Sequence, residues 1–513
     1  MSTITNPVVR GVAPDPSVCR VGGDFYLATS TFGLLPGVRI HHSTDLVHWR
    51  PLGGAVTRPA QYRRDGRPGD VMLFAPTLRH HEGRFYLACT NVADDQGNFV
   101  LHTDDPAEPW SDAAWVDTHA FDPSLLFADG TCYYTRRTLA PRPDGRLGPV
   151  VQFEIDPFTG ASLGPVRELT PDYGGFSSND IEGPHLYKIG DLYYLFSAEG
   201  GSWKGHMQTV ARSTSPWGPF EPCPDNPVIT HRNRVGHPIQ TLGHADLVDA
   251  PDGSWWAVML GTRHLAQGGF VYHHNLGRET FLAPVEWRDG WPVIGDEGAI
   301  ELTVQTPRPL PSHPGSRVRQ PDTLWAAGWS TQGLPPAGLA GHPAAGAYEL
   351  PYGRPLDDAD LSADIGVLLL PQQEDDAEFT AVLEQAPQAP AEAGVAVHAT
   401  PHHHYALLVR HDAQGEREVL LRRSVDDLVT EQRVPLPGSG PVRLRVQATV
   451  ERYAFSAAEG DGPFRPVGQG SARLLSAETA ETFTGCHFAL VAVGATDRPA
   501  ARFTGVRATW SPA

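Results

Sequence analysis

The sequence predicts an all-β protein in two parts: a fivefold repeat of strand–turn–strand units, as found in propellers and solenoids, then an antiparallel β-sandwich. The repeat carries the first half of that prediction. GDFYLATS from Gly23, GRFYLACT from Gly83, GTCYYTRR from Gly130, GDLYYLFS from Gly190 and GSWWAVML from Gly253 each open on a turn glycine. Each continues as a short strand rich in aromatic and apolar residues. Their spacing, about 47 to about 63 residues, is that of repeated β units, with no long helical periodicity between them. A change of texture carries the second half. From Thr323 onward short alternating segments such as EFTAVLEQ, HYALLVRHD, REVLLRRS, VRLRVQATV, YAFSAAEG, FALVAVGA and RFTGVRATW follow one another with turn signals between.

The chain thus divides into residues 1–305, which hold the repeats, a proline- and charge-rich linker at 306–322 within VQTPRPLPSHPGSRVRQPD, and a sandwich at 323–513. At 513 residues, two cores are expected. The Ala/Pro stretches of the second part, GLPPAGLAGHPAAGA and QAPQAPAEAG, suit surface loops.

Stepping back eight residues from each repeat glycine reaches Asp15, Ala75, Asp122, Glu182 and Ala245. A lone Asp-Pro is ordinarily a turn former, but three acids in register need another explanation. In a propeller the innermost strands surround one axis, so equivalent positions converge there. The fourth unit fits least well, its Leu186 and Tyr187 being shifted by about one place. A polar pocket of acids ringed by aromatics suits a sugar, whose hydroxyls need acceptors and whose ring faces stack on π surfaces. Phe32 and Phe74 lie beside the pocket-lining positions, whereas Trp203, Trp255 and Trp256 are less clearly placed. Glycosidic hydrolysis needs one carboxylic acid to protonate the leaving oxygen and one carboxylate on the opposite side of the anomeric carbon. A third acid nearby raises the pKa of the proton donor.

Composition narrows the partners. With 40 Lys and Arg against 59 Asp and Glu, the net charge of −19 disfavours nucleic acid and anionic membranes. The basic run Arg58, Arg63, Arg64 and Arg67 suits a solvated loop. Five scattered cysteines without CxxC spacing read as buried thiols of a reducing compartment. No signal-like N-terminus or membrane-length apolar run is visible, so a cytoplasmic protein acting on imported short oligosaccharides is expected. His402, His403 and His404 precede a strand without acidic partners and read as an exposed edge rather than a metal tract.

The stretches NPVVRGVAPDPSVCRVGGDFYLATSTF, HHSTDLVHW, FAPTLRHHEGRFYLACTN, FDPSLLFADG, IEGPHLYKIGDLYYLFSAEGG, GHMQTVARSTSPWGPFE, GHPIQTLGHADLV and GRETFLAPVEWRDGWPV resemble glycoside hydrolase family 43. The similarity is greatest to its β-xylosidase and α-L-arabinofuranosidase branch. It implies a five-bladed propeller, a concanavalin-like sandwich and an inverting, exo-acting hydrolase that needs no cofactor for its chemistry. It implies that Asp15 in APDPS is the general base, that Asp122 in FDPS tunes and positions the acid, and that Glu182 in IEGP is the general acid. Arg278 in GRET is then a substrate-hydroxyl ligand, and His244 in GHADL an axial residue associated in relatives with a central Ca2+ or water. Phe488 in FTGCHFALVA is the aromatic expected from the sandwich. Inversion implies an Asp15–Glu182 carboxyl separation of roughly 6.5–9.5 Å.

The chain departs from the family pattern at Gly33, Leu34 and Leu35, where a bulky pair is usual, at Phe74, usually Trp, and in the loop YGGFSSNDIEGP. Xylose and arabinose are left open, as are the oligomeric state and whether the sandwich binds sugar, covers the mouth or contacts another copy. A retaining fructosidase is disfavoured because the first acid lacks an Asn-Asp-Pro-Asn-like setting. A purely carbohydrate-binding propeller is disfavoured because clustered buried acids cost desolvation energy.

Overall fold

The computed structural model describes residues 2–139, 148–170, 175–178, 180–267, 271–306, 310, 323–357, 365–494 and 499–511. Five four-stranded antiparallel sheets form a five-bladed propeller. Their innermost strands are Ser17–Val21, Leu73–His81, Ala120–Ala128, Glu182–Ile189 and Ile239–Asp249. Each pairs with the strand that follows it, so every repeat unit read from the sequence is the inner hairpin of one blade.

The hairpin turns explain both the glycines and the irregular fourth unit. In blades two and three the two turn residues, Glu82–Gly83 and Asp129–Gly130, all have positive φ, and Gly stands second. In blade four the turn is Gly190–Asp191 and Gly190, at φ 60°, stands first. Counting from this glycine therefore overshoots by one residue.

Apolar faces of neighbouring blades pack together. Tyr26, Leu78, Phe85, Leu87 and Phe99 bury one such layer, and Phe196, Leu247, Met259 and Phe281 another. Burial of each such side chain is worth about 1.5–3 kcal/mol. The ring closes where Ser2–Thr5 pairs with Thr303–Thr306 and the Asn6 amide bridges the backbone of Leu282 at 3.0 and 2.9 Å. Thr306, the first residue of the segment read as linker, is thus a strand residue. Of the rest of that segment only Leu310 is among the described residues.

The second part is a sandwich of one seven-stranded and one six-stranded sheet around a core that includes Phe379, Leu407, Leu444, Tyr453, Phe488 and Phe503. His403 and His404 lie buried in the strand His403–His411, which is flanked on both sides in the six-stranded sheet. The expectation of an exposed edge is therefore wrong for them; alternation with apolar neighbours hid their burial. QAPQAPAEAG is also not wholly a surface loop, since Ala391 is buried and Glu392–Thr400 is a strand.

The two parts are firmly joined. Thr331–Gln332 pairs with Leu34–Leu35. Gly277 and Gly485 meet backbone to backbone, and a Cβ on Gly485 would lie 2.4 Å from the Gly277 nitrogen. Arg263 bridges Glu279 of blade five at 2.7 Å and Glu374 of the sandwich at 2.6 Å.

Candidate active site

Four inner strands enter the axis through the same distortion, and blade one has its left-handed residue, Asp15, just before its strand begins. Between paired residues 74 and 77, 121 and 124, 182 and 185, and 243 and 246, the inner strand carries two residues opposite one on its partner. These are β-bulges whose first residue is left-handed. That residue is Asp15 (φ 51°), Ala75 (39°), Asp122 (53°), Gly183 (54°) and His244 (51°) in blades one to five. The second is Pro16, Pro76, Pro123, Pro184 and Ala245. The shared position is therefore held by Asp15 and Asp122 but not by Glu182, which precedes Gly183 in blade four, nor by Ala245, which follows His244. Aligning the repeats on their prolines rather than their glycines would have revealed this.

The offset has a steric reason. A Cβ at Gly183 would lie 3.0–3.1 Å from the His244 ring, so that space belongs to blade five. Gly183 instead donates its N–H to Asp122 Oδ2 at 2.9 Å. Glu182, one residue earlier, corresponds to Phe74 of blade two, itself at the mouth. The three acids thus converge from two structural positions: the Asp15 charge raises both Asp122 and Glu182, and the Glu182 charge raises Asp122.

Their surroundings divide the charge. Asp15 is buried, which alone would disfavour its anion, but Arg278 and His244 outweigh burial and hold its carboxyl below the usual range. Arg278 Nη1 lies 3.4 Å and His244 Nδ1 3.9 Å from Asp15 Oδ1. Burial pushes Glu182 up to about 7, against the pull of Arg137. Asp122 is raised too, by burial and then by the Glu182 charge. The Asp122–Glu182 pair thus tends to keep one proton while Asp15 is ionised.

Phe32 and Phe74 pack edge to face, centroids 5.5 Å apart. The aromatic from the sandwich is Phe483, not Phe488. Phe483 stacks on Phe32 at 6.1 Å and on Trp203 at 5.5 Å, and Arg278 lies 4.9 Å from its ring centroid. Phe488 is fully buried inside the sandwich, stacked on Phe379 at 5.2 Å. Both belong to FTGCHFALVA; strand alternation sends Phe488 inward, whereas Phe483 lies in the preceding loop.

Sequence reasoning also missed several supporting residues. Arg137 donates to the Ile181 carbonyl beside Glu182. His206, its Nδ1 2.7 Å from the Thr241 carbonyl, fills the space that a side chain at Gly243 would need. Glu199 is fully buried and accepts the N–H groups of Phe176, Ser177 and Ser178 at 2.6–3.1 Å, anchoring the loop before Glu182. Arg137 closes the third repeat unit, GTCYYTRR, whereas His206 and Glu199 lie outside the repeated motif.

Comparison with known proteins fits this architecture. The glycosyl hydrolases family 43 profile matches residues 4–292 and the beta xylosidase C-terminal concanavalin A-like domain profile matches 352–507. The chain belongs to glycosyl hydrolase family 43. It is 38% identical to a non-reducing end α-L-arabinofuranosidase of Bacteroides ovatus, over 96% of this chain and 92% of that protein. It is 41% identical to a xylosidase/arabinosidase of Butyrivibrio fibrisolvens, over 61% of this chain and 60% of that one. Among solved structures, the Bacteroides ovatus xyloglucan PUL GH43B superposes with TM-score 0.86 at 36% identity, covering 99% and 100% of the two chains. A xylan β-1,4-xylosidase from Bacillus halodurans gives 0.85 at 28% identity, covering 98% and 99%. This family 43 chain is accordingly a glycoside hydrolase, not a non-catalytic sugar-binding propeller.

Proposed function

We propose that this chain is an inverting exo-glycosidase that removes terminal β-D-xylosyl or α-L-arabinofuranosyl residues from short oligosaccharides. The observation that carries the mechanism is the split in ionisation within one buried cluster: Asp15 is held anionic while the Asp122–Glu182 pair retains a proton. Asp15 takes a proton from a water, whose oxygen attacks the anomeric carbon. Glu182 gives its proton to the glycosidic oxygen as that bond breaks. Asp122, with Oδ2 already receiving the Gly183 amide, is the better anion of the pair, which leaves the proton to Glu182. Arg278 orients sugar hydroxyls and stabilises the Asp15 anion. Phe483 over Phe32 and Phe74 narrows the mouth, which favours a chain end over an internal unit.

The family relatives named for xylosidase and for arabinofuranosidase activity support both pentoses. A cytoplasmic enzyme acting on imported fragments accords with five free, buried cysteines. A Ca2+ near His244 has little protein to hold it. The nearby carboxylate oxygen, Asp15 Oδ1 at 3.9 Å, already faces Arg278, whereas Ca2+ takes six to eight oxygens. Among the described residues, those beside His244 do not form a calcium cage.

The test is hydrolysis of p-nitrophenyl β-D-xylopyranoside and α-L-arabinofuranoside, with proton NMR of the first-formed anomer. Turnover with inverted product is expected, and Glu182→Gln should lower kcat by about 10²–10⁴-fold. Retained configuration, or full activity in the variant, would overturn these assignments.

A further inference from the structure

We propose that His264, His274 and Glu478 form a site for one divalent transition-metal ion, with Zn2+ the best fit, bridging the propeller and the sandwich beside the sugar pocket. His264 directly follows the blade-five strand Trp255–Arg263, and His274 follows Val271–His273. Glu478 comes from the sandwich, in the segment that also presents Phe483. Glu478 Oε1 lies 3.0 Å from His264 Nε2 and 2.8 Å from His274 Nδ1, and the three atoms fall within 4.8 Å of one another. Two ring nitrogens face one carboxylate oxygen, an arrangement that either an N–H on each neutral ring or one shared cation satisfies.

The geometry and chemistry suit the cation. Around Zn2+, with ligand bonds of about 2.0–2.2 Å, tetrahedral ligand atoms stand about 3.3–3.6 Å apart, so Glu478 Oε1 must draw back a few tenths of an ångström from each ring as the two imidazoles adjust. Two imidazoles and a carboxylate favour Zn2+ and its transition-metal neighbours over Ca2+ or Mg2+. The supporting contacts are those of a ligand set. Thr262 Oγ1, 2.8 Å from His264 Nδ1, fixes the ring with Nε2 toward Glu478, and the His274 amide donates to Glu478 Oε2 at 3.1 Å. Both histidines are buried. The three side chains line a cavity of about 340 Å3 shared with Thr241, Arg278 and Phe483. A fourth coordination position would open into that cavity, for water or a sugar hydroxyl.

Calorimetric titration of EDTA-treated full-length protein with Zn2+, alongside Co2+ absorption spectra, tests the site without reference to turnover. One equivalent is expected to bind, with tetrahedral-type Co2+ bands. Glu478→Gln and His264→Gln should each weaken binding by roughly 10–100-fold while circular dichroism in EDTA matches wild type. Anomalous diffraction from Zn2+-soaked wild-type crystals provides a readout that does not depend on the variants folding, with a peak expected among the three side chains. Absence of binding, affinity unchanged in both variants, or a peak elsewhere would overturn the proposal and leave the cluster a hydrogen-bonded clamp.

Discussion

Asp15 and Glu182 are chemically alike, yet their neighbours drive them to opposite protonation states. Asp15 has Arg278 and His244 beside it, whereas Glu182 has burial and other acids opposed by Arg137. Activity requires Glu182 protonated and Asp15 ionised. The kcat/KM profile should therefore fall as pH rises through about 7, and on the acid side only below the ordinary aspartate range. Asp122→Asn removes a like charge next to the acid, so the alkaline limb should move to lower pH, with kcat reduced. A limb that stays in place would show that Asp122 does not tune the acid. Gly183→Ala is a second residue-scale test. At φ 54° the new Cβ is strained by about 1–2 kcal/mol and presses on the His244 ring. Lower kcat with little change in the far-UV spectrum is expected.

The inner strands act together through a residue two places beyond each bulge, Ser17, Thr77, Ser124, His185 and Asp246. Fully buried Asp246 of blade five receives Arg79 of blade two at 2.8 Å and Ser17 Oγ and the Val18 N–H of blade one at 2.6 and 3.0 Å. Tyr187 of blade four donates to it as well. One carboxylate thus ties four blades around the axis. Burial opposes its ionisation, but Arg79 more than compensates and keeps its folded pKa far below the unfolded value. Its contribution is therefore complete above about pH 4, the unfolded carboxylate range, and is lost only as pH falls toward the lower folded value. Asp246→Asn leaves Arg79 uncompensated in the core and should cost about 3–5 kcal/mol in urea denaturation. A change below about 1 kcal/mol would refute the role of Asp246 as the tie between blades.

For the whole molecule, the sandwich takes part in the site. It adds Thr331–Gln332 to Leu34–Leu35, closes on Gly277 through Gly485 and places Phe483 over Phe32 and Arg278. Phe483→Ala should raise KM for p-nitrophenyl pentosides about tenfold or more while the melting temperature stays near wild type, because Phe483 is 38% exposed and contributes little to the core. The same change at Phe488 should instead cost about 3–5 kcal/mol of stability, since its ring fills the sandwich interior. Measuring both variants separates the wall of the pocket from the core of the domain.

Fivefold repetition and strand alternation were legible in the sequence alone, and Asp15, Asp122 and Glu182 were its candidate acids, because turn glycines and period-two burial are local requirements. Their local origin also explains the mistakes. The Gly190 turn shifted the fourth unit by one place, and two phenylalanines in one motif could not be ranked from pattern. Only the tertiary structure decided that Gly183 yields its space to His244, that Asp246 joins four blades and that Phe483 and Glu478 reach across from the sandwich. These are contacts between residues far apart in the chain, and their geometry depends on how complete sheets pack.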